Sequence, residues 1–440
     1  MAAAFRRLLG NVIIVDGARI LAVNVAGAGL AFLSHILFAR WLGVAAYGNY
    51  VYALSWLNVL AVVVQFGLNI AVVRLIAEYR AADSIASIHH LIGFSNRVVL
   101  TAGIAVAVIG AVLISQFTAE GAQELRATLY LMVGLTIVLG LFQQRMVVLQ
   151  GFERVFEAQA FHELARPALL ILAAVAASRW DGFNASTVMG LNLAVTALVL
   201  VVLVRYSRKF LVRRLDGMPA TVVEDTQRWL AIGLPYLVIT IIAIGLTQTD
   251  VLMIGSLLGP EQAGLYAPAA KVAMLVIFPA MAVRARIAPM VARLCADNDK
   301  EAVQNRITVA TLASLGTCLV GVIIIITARD FILGLFGDAF RASDEILIIL
   351  ATAYCVYTLG TSVETFLLMG PFERINAVVL FATLAVNLLL NAFLIPYMGS
   401  LGAAWATVCA MILRAVLSAL VVFRRTGVLP IRFGRSEEVT

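Results

Sequence analysis

Blocks of predominantly apolar residues, each about twenty long, recur along almost the whole chain with short polar segments between them. A helix rises about 1.5 Å per residue, so each block is long enough to cross the roughly 30 Å hydrocarbon core of a bilayer. Only 13% of the 440 residues are charged, which is too few to cover a water-soluble protein of this length. Because hydrocarbon offers no water to satisfy backbone polar groups, helices are expected. The sequence therefore predicts an all-α polytopic membrane protein.

The apolar blocks predict twelve membrane spans. We place them at residues 17–39, 49–72, 92–116, 127–150, 159–178, 187–205, 229–256, 264–290, 306–328, 345–369, 376–395 and 402–423. Asp16, Arg19 and Asn24 interrupt the first block, and no small-residue cleavage site follows it. We therefore expect this block to be a retained span and not a signal peptide.

A short sequence in the first half of the chain returns in the second half. WLGVAAYGNY at residues 41–50 corresponds to LLGPEQAGLY at residues 257–266, with two glycines and the final tyrosine in register at a step of 216 (257 − 41). The repeat indicates a duplicated architecture. We expect an N-terminal six-helix bundle at 1–205, a cytoplasmic linker at 206–228, and a C-terminal six-helix bundle with a cytoplasmic tail at 229–440. An even number of spans in each half gives two parallel repeats.

Positive charge predicts the orientation of these spans. If both termini are cytoplasmic, about 24 of the 32 Lys and Arg residues fall on the inner side and about five on the outer side. This asymmetry also accounts for the net charge of +7, so no nucleic-acid partner is expected. We therefore predict a multi-pass membrane protein with both termini in the cytoplasm.

Sequence patterns typical of soluble enzymes are absent. The chain has no GxxxxGK loop, no HExxH and no CxxC, and its four cysteines are scattered. We therefore expect no cofactor, no metal site and no enzymatic activity.

Charged residues within the predicted spans are the first candidates for function, because burying a charge in hydrocarbon is costly. Asp250 and Lys271 flank the second copy of the repeated sequence at similar predicted depth. They are interpreted either as a structural ion pair or as a switchable pair in a substrate cavity. The matching residues of the first half are Ser34 and Ser55 (250 − 216 and 271 − 216), so the charges occur in one half only.

Other polar residues in the spans also have two interpretations. Arg19 either reaches the inner interface or forms a polar stripe with Asn24 and His35 on the first span. Glu364 is either a proton-coupling carboxylate or a structural residue, and we expect Arg414 to pair with it.

Two further groups lie near predicted helix ends or along one helix face. Arg284 and Arg286, between Pro279 and Pro289, either anchor the inner end of a span or lie on a helix that bends at proline. Gln65, Asn69 and Arg74 have helical spacing and predict a polar face on the second span.

Several segments resemble a known family of membrane proteins. They are LFARWLGVAAYGNY at 37–50, FGL at 66–68, VRLIAEY at 73–79, TDVLMIG at 249–255 and NLLLNAFLIPYMGSLGAA at 387–404. In this order they resemble bacterial polysaccharide transporters, the O-antigen and exopolysaccharide flippases of the multidrug/oligosaccharidyl-lipid/polysaccharide superfamily. The resemblance implies two six-helix bundles around a central cavity in the bacterial cytoplasmic (inner) membrane. It also implies alternating-access transport of a polyprenyl-pyrophosphate-linked oligosaccharide from the inner to the outer leaflet.

The resemblance turns the charged residues into a predicted site. We expect Arg19, Lys271 and Arg284 to bind the diphosphate, with Arg40 near the outer mouth and Asn24 and His35 on the polar stripe. Asp250 or Glu364 is expected to exchange a proton or Na⁺. The expected partners are the lipid-linked oligosaccharide, membrane lipid and polysaccharide synthases or polymerases, and a monomer is sufficient.

Two other functions remain open at this point. The first is a multidrug or cation antiporter of the same superfamily, although basic residues in the predicted cavity suit a cationic drug poorly. The second is a membrane polysaccharide polymerase, ligase or glycosyltransferase. The short outer loops disfavour that reading, since the 329–344 loop is the only charged candidate for a catalytic segment.

Overall fold

The fold is a set of long helices. The computed structural model describes residues 2–82, 84–118, 121–179, 182–215, 225–296, 300–369, 373–427 and 429–431, with the side chains of 2–16 outside this description. Within these ranges the α-helices are α1 (Ala2–Gln65), α2 (Leu68–Ala81), α3 (Ile85–Phe117), α4 (Gln123–Gly151), α5 (Val155–Gln159), α6 (Arg166–Ala177), α7 (Ala185–Leu215), α8 (Thr226–Leu257), α9 (Pro260–Met274), α10 (Phe278–Ala296), α11 (Lys300–Gly334), α12 (Asp344–Met369), α13 (Glu373–Met398) and α14 (Ser400–Thr426).

The number of membrane crossings agrees with the sequence. Eleven segments of the described chain are long and apolar enough to span a bilayer. One of them, Arg19–Gln65, has 47 residues, about twice the ~20 required for a single crossing. Gly43, with φ 71° and ψ 177°, interrupts its helical geometry within the first copy of the repeated sequence. Counting this segment as two spans gives the predicted twelve (11 + 1), so the all-α multi-pass prediction is confirmed.

The second span ends earlier than the sequence predicts. Its expected end is residue 72, but the helix stops at Gln65, and Phe66 and Gly67 have positive φ angles of 50° and 71°. A Cβ on Gly67 would overlap the backbone carbonyl oxygen of Gly233 in α8. The glycine therefore supplies both the left-handed backbone conformation and the space for α8 to approach.

The described chain forms two compact units, at 1–244 and 245–440, and the boundary lies inside α8. The first part of α8 belongs to the N-terminal unit because Trp229, which is buried, donates a hydrogen bond to the Tyr79 hydroxyl at 2.8 Å. Arg228 also pairs with Glu78 at 2.5 Å. The linker at 206–228 stays a prediction, since residues 216–224 lie outside the described part of the chain.

In the C-terminal unit, the predicted eighth span departs from α-helical geometry near a proline. A short 3₁₀ segment, Leu275–Ile277, separates α9 from α10 and directly precedes the start of α10 at Phe278. Pro279 has no N–H to donate to the carbonyl of Leu275 four residues earlier, so the regular ladder cannot continue there. This is the local distortion that the proline predicts.

We predict that Gly67→Ala destabilises the protein more than Gly427→Ala. Both glycines are left-handed, with φ and ψ of 71° and 2° at Gly67 and 78° and 4° at Gly427. Alanine therefore costs about 1–2 kcal/mol of backbone strain at either position. Only at Gly67 does the new methyl group overlap another helix, which adds about 1–3 kcal/mol of overpacking. Thermal unfolding in detergent should give a lower apparent Tm for Gly67→Ala, and equal Tm values would contradict this packing.

Candidate functional site

Asp250 lies in a polar cluster built by four helices of the C-terminal unit. Its Oδ2 accepts hydrogen bonds from the Tyr266 hydroxyl of α9 at 2.7 Å and the Thr407 hydroxyl of α14 at 2.6 Å. Its Oδ1 accepts one from the Asn391 amide of α13 at 2.9 Å. Hydrogen bonds to an ionised acceptor are stronger than neutral ones. The three donors therefore hold the carboxylate in a fixed position.

Two asparagines of this cluster have buried amide oxygens without a donor. Asn387 donates to the Thr407 hydroxyl at 3.3 Å, and both Asn387 and Asn391 are almost fully buried. The Oδ1 atom of each asparagine is buried and accepts no hydrogen bond within the described chain. Buried polar atoms normally have a partner, and carboxylate and amide oxygens are the ligands that hard cations prefer. The cluster therefore has the chemistry of a site for a small cation or a proton.

The predicted ion pair between Asp250 and Lys271 is not formed. Lys271 is half-buried in α9, and in the described part of the chain it makes neither a salt bridge nor a hydrogen bond. Position along the helices predicts the depth of both residues in the membrane, but it does not predict the direction in which their side chains point. Asp250 is instead held by Tyr266, Thr407 and Asn391.

The predicted pairing of Glu364 with Arg414 is confirmed. Glu364 in α12 is 1% exposed. Arg414 in α14 places Nε 2.7 Å from Oε1 and donates from Nη2 to Oε2 at 2.9 Å. The Tyr357 hydroxyl donates to the same Oε2 at 2.9 Å, and its ring centroid lies 5.0 Å from the guanidinium carbon. This closed arrangement favours a structural role for Glu364.

The repeated tyrosines lie beside opposite charges in the two units. In the C-terminal unit Tyr266 donates to Asp250. In the N-terminal unit Tyr50 is buried, and its polar neighbours are Arg166 and Asn192. Arg166 donates to the Asn192 side-chain oxygen at 3.0 Å. The polar cluster of the first unit thus contains its own cation, whereas the cluster around Asp250 is anionic. Arg166 was not among the predicted site residues, although an Arg-Pro step within an apolar block marks it.

The remaining predicted residues lie at separate places. In α1, Arg19, Asn24 and Arg40 are exposed, while the half-buried His35 ring places Nδ1 3.1 Å from the Tyr47 hydroxyl. Arg284 is half-buried in α10 of the C-terminal unit. The central cavity that these residues were expected to share stays a prediction.

A cavity of about 660 Å³ with a mixed polar and apolar lining lies within the N-terminal unit. It is lined by Val62, Gln65, Asn69, Ile70, Val73, Arg74, Gln143, Met146, Val147, Gln150, Gln159, His162 and Glu163. The predicted polar face of the second span reaches this cavity even though the helix breaks within it. The Gln65 amide donates to the side-chain oxygen of Gln143, which belongs to α4. The sequence did not indicate that α4 and α5 line this cavity, because their residues lie far along the chain from the polar face of the second span.

A π-helical turn, Ala160–Ala165, forms one wall of this cavity. The backbone N–H of Arg166 bonds to the Phe161 carbonyl five residues earlier, the pattern of a π-helix. Pro167 explains the widened turn, because it cannot donate to the carbonyl of Glu163 and its ring would clash with that carbonyl in an α-helix. On its other side the turn packs tightly against α1, where a Cβ on Gly27 would lie 2.5 Å from the Glu163 Cβ.

The sequence between residues 14 and 295 matches the family described as polysaccharide biosynthesis protein. This match covers more than half of the 440 residues. The chain belongs to the polysaccharide biosynthesis protein family. Residues 235–393 of this family member also match the family described as MatE, in the region that contains Asp250.

One curated relative and two solved structures show what else the chain is similar to. The probable low-salt glycan biosynthesis flippase Agl15 of Haloferax volcanii is 27% identical over 175 residues, an alignment that covers 39% of this chain and only 36% of the relative. An inward-facing multidrug resistance MATE family transporter of the MOP superfamily is 14% identical, with a TM-score of 0.71 over 91% of this chain and 98% of that one. The lipid II flippase MurJ, in an inward closed conformation, is 13% identical, with a TM-score of 0.69 over 93% and 87%. The chain thus shares the fold of these two solved structures.

We predict that removing Glu364 alone is more destabilising than removing the whole ion pair. Glu364→Leu leaves the Arg414 guanidinium without its carboxylate partner, at a cost of about 3–5 kcal/mol for a buried pair. The double variant Glu364→Leu with Arg414→Met removes both charges and should recover much of the loss. Apparent Tm values in detergent measure this difference. If the double variant were as unstable as the single one, the loss of stability would come from the missing contact between α12 and α14 and not from the unpaired guanidinium.

Proposed function

We propose that this protein is a flippase that moves a polyprenyl-pyrophosphate-linked oligosaccharide from the inner to the outer leaflet of the bacterial cytoplasmic membrane, by alternating access. The family match over residues 14–295 carries the proposal. The name of the flippase relative and the fold shared with a lipid II flippase support it. In this proposal both termini are cytoplasmic, transport involves no catalysis, and one chain is sufficient.

The chemistry of the cargo explains why a protein is required. The sugars and the diphosphate would lose their hydrogen bonds to water in hydrocarbon, whereas the polyprenyl chain is soluble there. A protein that shields only the head group therefore suffices. Membrane lipid around the protein accommodates the tail, and polysaccharide synthases and polymerases supply and consume the carrier.

Basic residues are assigned to the diphosphate because Arg and Lys bind phosphate oxygens through charge-assisted hydrogen bonds. Lys271 is the strongest candidate, since it is half-buried and no side chain of the described chain neutralises it. Arg284 is also half-buried. On α1, the exposed Arg19 and Arg40 extend the positive charge.

Asp250 is assigned to ion coupling, with a proton or Na⁺ as the exchanged cation. Its cluster contains a carboxylate, two unsatisfied amide oxygens and no salt-bridged cation within the described residues. Binding and release of a cation there would change the charge of the unit as it moves, which is the requirement for secondary transport. We do not assign this role to Glu364, because Arg414 already neutralises it.

A second candidate function is export of drugs or other cations. The MatE match over residues 235–393 and the MATE transporter fold favour it. An anionic Asp250 cluster would also suit this function. Analysis of the extracted lipid carriers distinguishes glycan flipping from drug export.

We predict that deletion of the gene causes polyprenyl-linked oligosaccharide to accumulate on the inner leaflet and surface glycan to disappear. Extracted lipid carriers are identified by mass, and the wild-type gene on a plasmid is the control. Unchanged carriers and surface glycan would overturn the flippase proposal and favour drug export. A carrier bearing an incomplete sugar chain would instead indicate an enzyme.

In the same strain, Lys271→Gln and Arg284→Gln should restore less surface glycan than Arg374→Gln, an exposed control.

We predict that Asp250→Asn abolishes the response of transport to an ion gradient. Asparagine preserves the size of the side chain but removes the charge that attracts a cation, so gradient-driven flipping should fall at least tenfold. Flipping of the isolated lipid-linked glycan is measured in proteoliposomes under either a Na⁺ or a proton gradient, and the effective gradient identifies the ion. The matched control is Asp330→Asn, at an exposed position. Wild-type gradient dependence in Asp250→Asn would remove Asp250 from the coupling site.

A further inference from the structure

Five uncharged amide side chains line the cavity of the N-terminal unit, beside five apolar residues and Arg74, His162 and Glu163. Gln65, Asn69, Gln143, Gln150 and Gln159 come from four different helices and surround the same space. Its volume of about 660 Å³ falls within the range of about 300–1,000 Å³ that is typical of sites for small molecules.

One amide of this cavity has an unused acceptor. The Oε1 atom of Gln159 is buried and accepts no hydrogen bond within the described chain. An unsatisfied buried polar atom costs about 1–3 kcal/mol, so a ligand gains affinity by donating to it once the Gln159 side chain turns this oxygen into the cavity. Gln65 and Gln143, in contrast, already bond to each other.

The hydrogen-bonding capacity of these groups distinguishes between the two polar parts of the cargo. Each amide supplies two N–H donors and one acceptor oxygen. A fully ionised diphosphate has oxygen acceptors but no N–H or O–H donor, so it could bond to Arg74 of this cavity but could not satisfy the Gln159 oxygen. A sugar hydroxyl both donates and accepts, and therefore complements an amide completely.

The π-helical turn adds a carboxylate to the same wall. The His162 ring places Nδ1 3.0 Å from Oε1 of Glu163, and both residues line the cavity. Its second carboxylate oxygen is a further acceptor for a hydroxyl group. π-Helical turns inside α-helices are frequent at functional sites, because they change the direction of the side chains they carry.

We propose that this cavity binds sugar residues of the transported glycan, separately from Lys271 and Arg284, to which the diphosphate is assigned. The inference rests on the proposed flippase function and names the part of the cargo that the N-terminal unit recognises. In the predicted topology the cavity lies towards the cytoplasmic end of α4, where the carrier is loaded. The positions of the amide side chains would then determine which glycan is accepted. A site built to hydrogen-bond a hydroxyl group strongly rejects an analogue that lacks this hydroxyl.

We predict that Gln159→Leu weakens glycan binding without lowering the stability of the protein. Leucine removes an unsatisfied buried acceptor, so the apparent Tm should stay equal or rise, whereas loss of a glycan contact should weaken binding at least tenfold. Gln150→Leu provides a second test in the same cavity. The matched control is Gln116→Leu, an exposed glutamine in α3 outside the cavity.

The measurement uses the full-length protein purified in detergent. Glycan released by mild acid from the accumulated carrier is titrated by calorimetry, and sugar-free polyprenyl pyrophosphate is titrated separately. Weaker glycan binding with unchanged binding of the sugar-free carrier supports the site. Wild-type glycan binding in both cavity variants, or a lower Tm for Gln159→Leu, overturns it. Failure of the deletion strain to accumulate any glycan carrier would instead overturn the proposed function.

Discussion

The absence of water in hydrocarbon is the constraint on which the rest of this structure depends. Any charged or polar side chain within a span must find a partner in the protein, or its burial lowers stability. Arg414 and Glu364 neutralise each other, and the tyrosine beside them donates a hydrogen bond to the carboxylate. Arg166 is satisfied by neutral oxygens of α7. Against this background, the groups that lack a partner are informative, because the protein retains them at a cost.

The two units differ in a way that a duplicated sequence makes visible. The same tyrosine of the repeated segment lies beside a guanidinium in one unit and beside a carboxylate in the other. A guanidinium remains protonated at any physiological pH, so its cluster has a constant charge. A carboxylate can be neutral, bare or bound to a cation. The repeated tyrosine therefore lies beside a fixed charge in one unit and a variable charge in the other.

Hydropathy predicted most of the architecture but little of the site. The length of the apolar blocks gives twelve crossings, and the cost of an isolated charge led to the pairing of Glu364 with Arg414. Hydropathy could not identify the partners of Asp250, because Asn391 and Thr407 lie 141 and 157 residues away along the chain. Block length determines depth in the membrane, whereas the rotation of each helix decides which side chains meet. The spacing of two asparagines four residues apart in α13 was the available signal, since such residues share a helix face.

The π-helical turn at Ala160–Ala165 has a consequence for the helix that contains it. One additional residue in a turn shifts the phase of everything after it by about 100°, the rotation per residue of an α-helix. The polar face of α5 and the apolar face of α6 can therefore point in directions that no single helical wheel would allow. Pro167 maintains this offset, although it is not among the residues that line the cavity. The arrangement of polar and apolar residues around this span therefore depends on the π-helical turn as well as on the side chains.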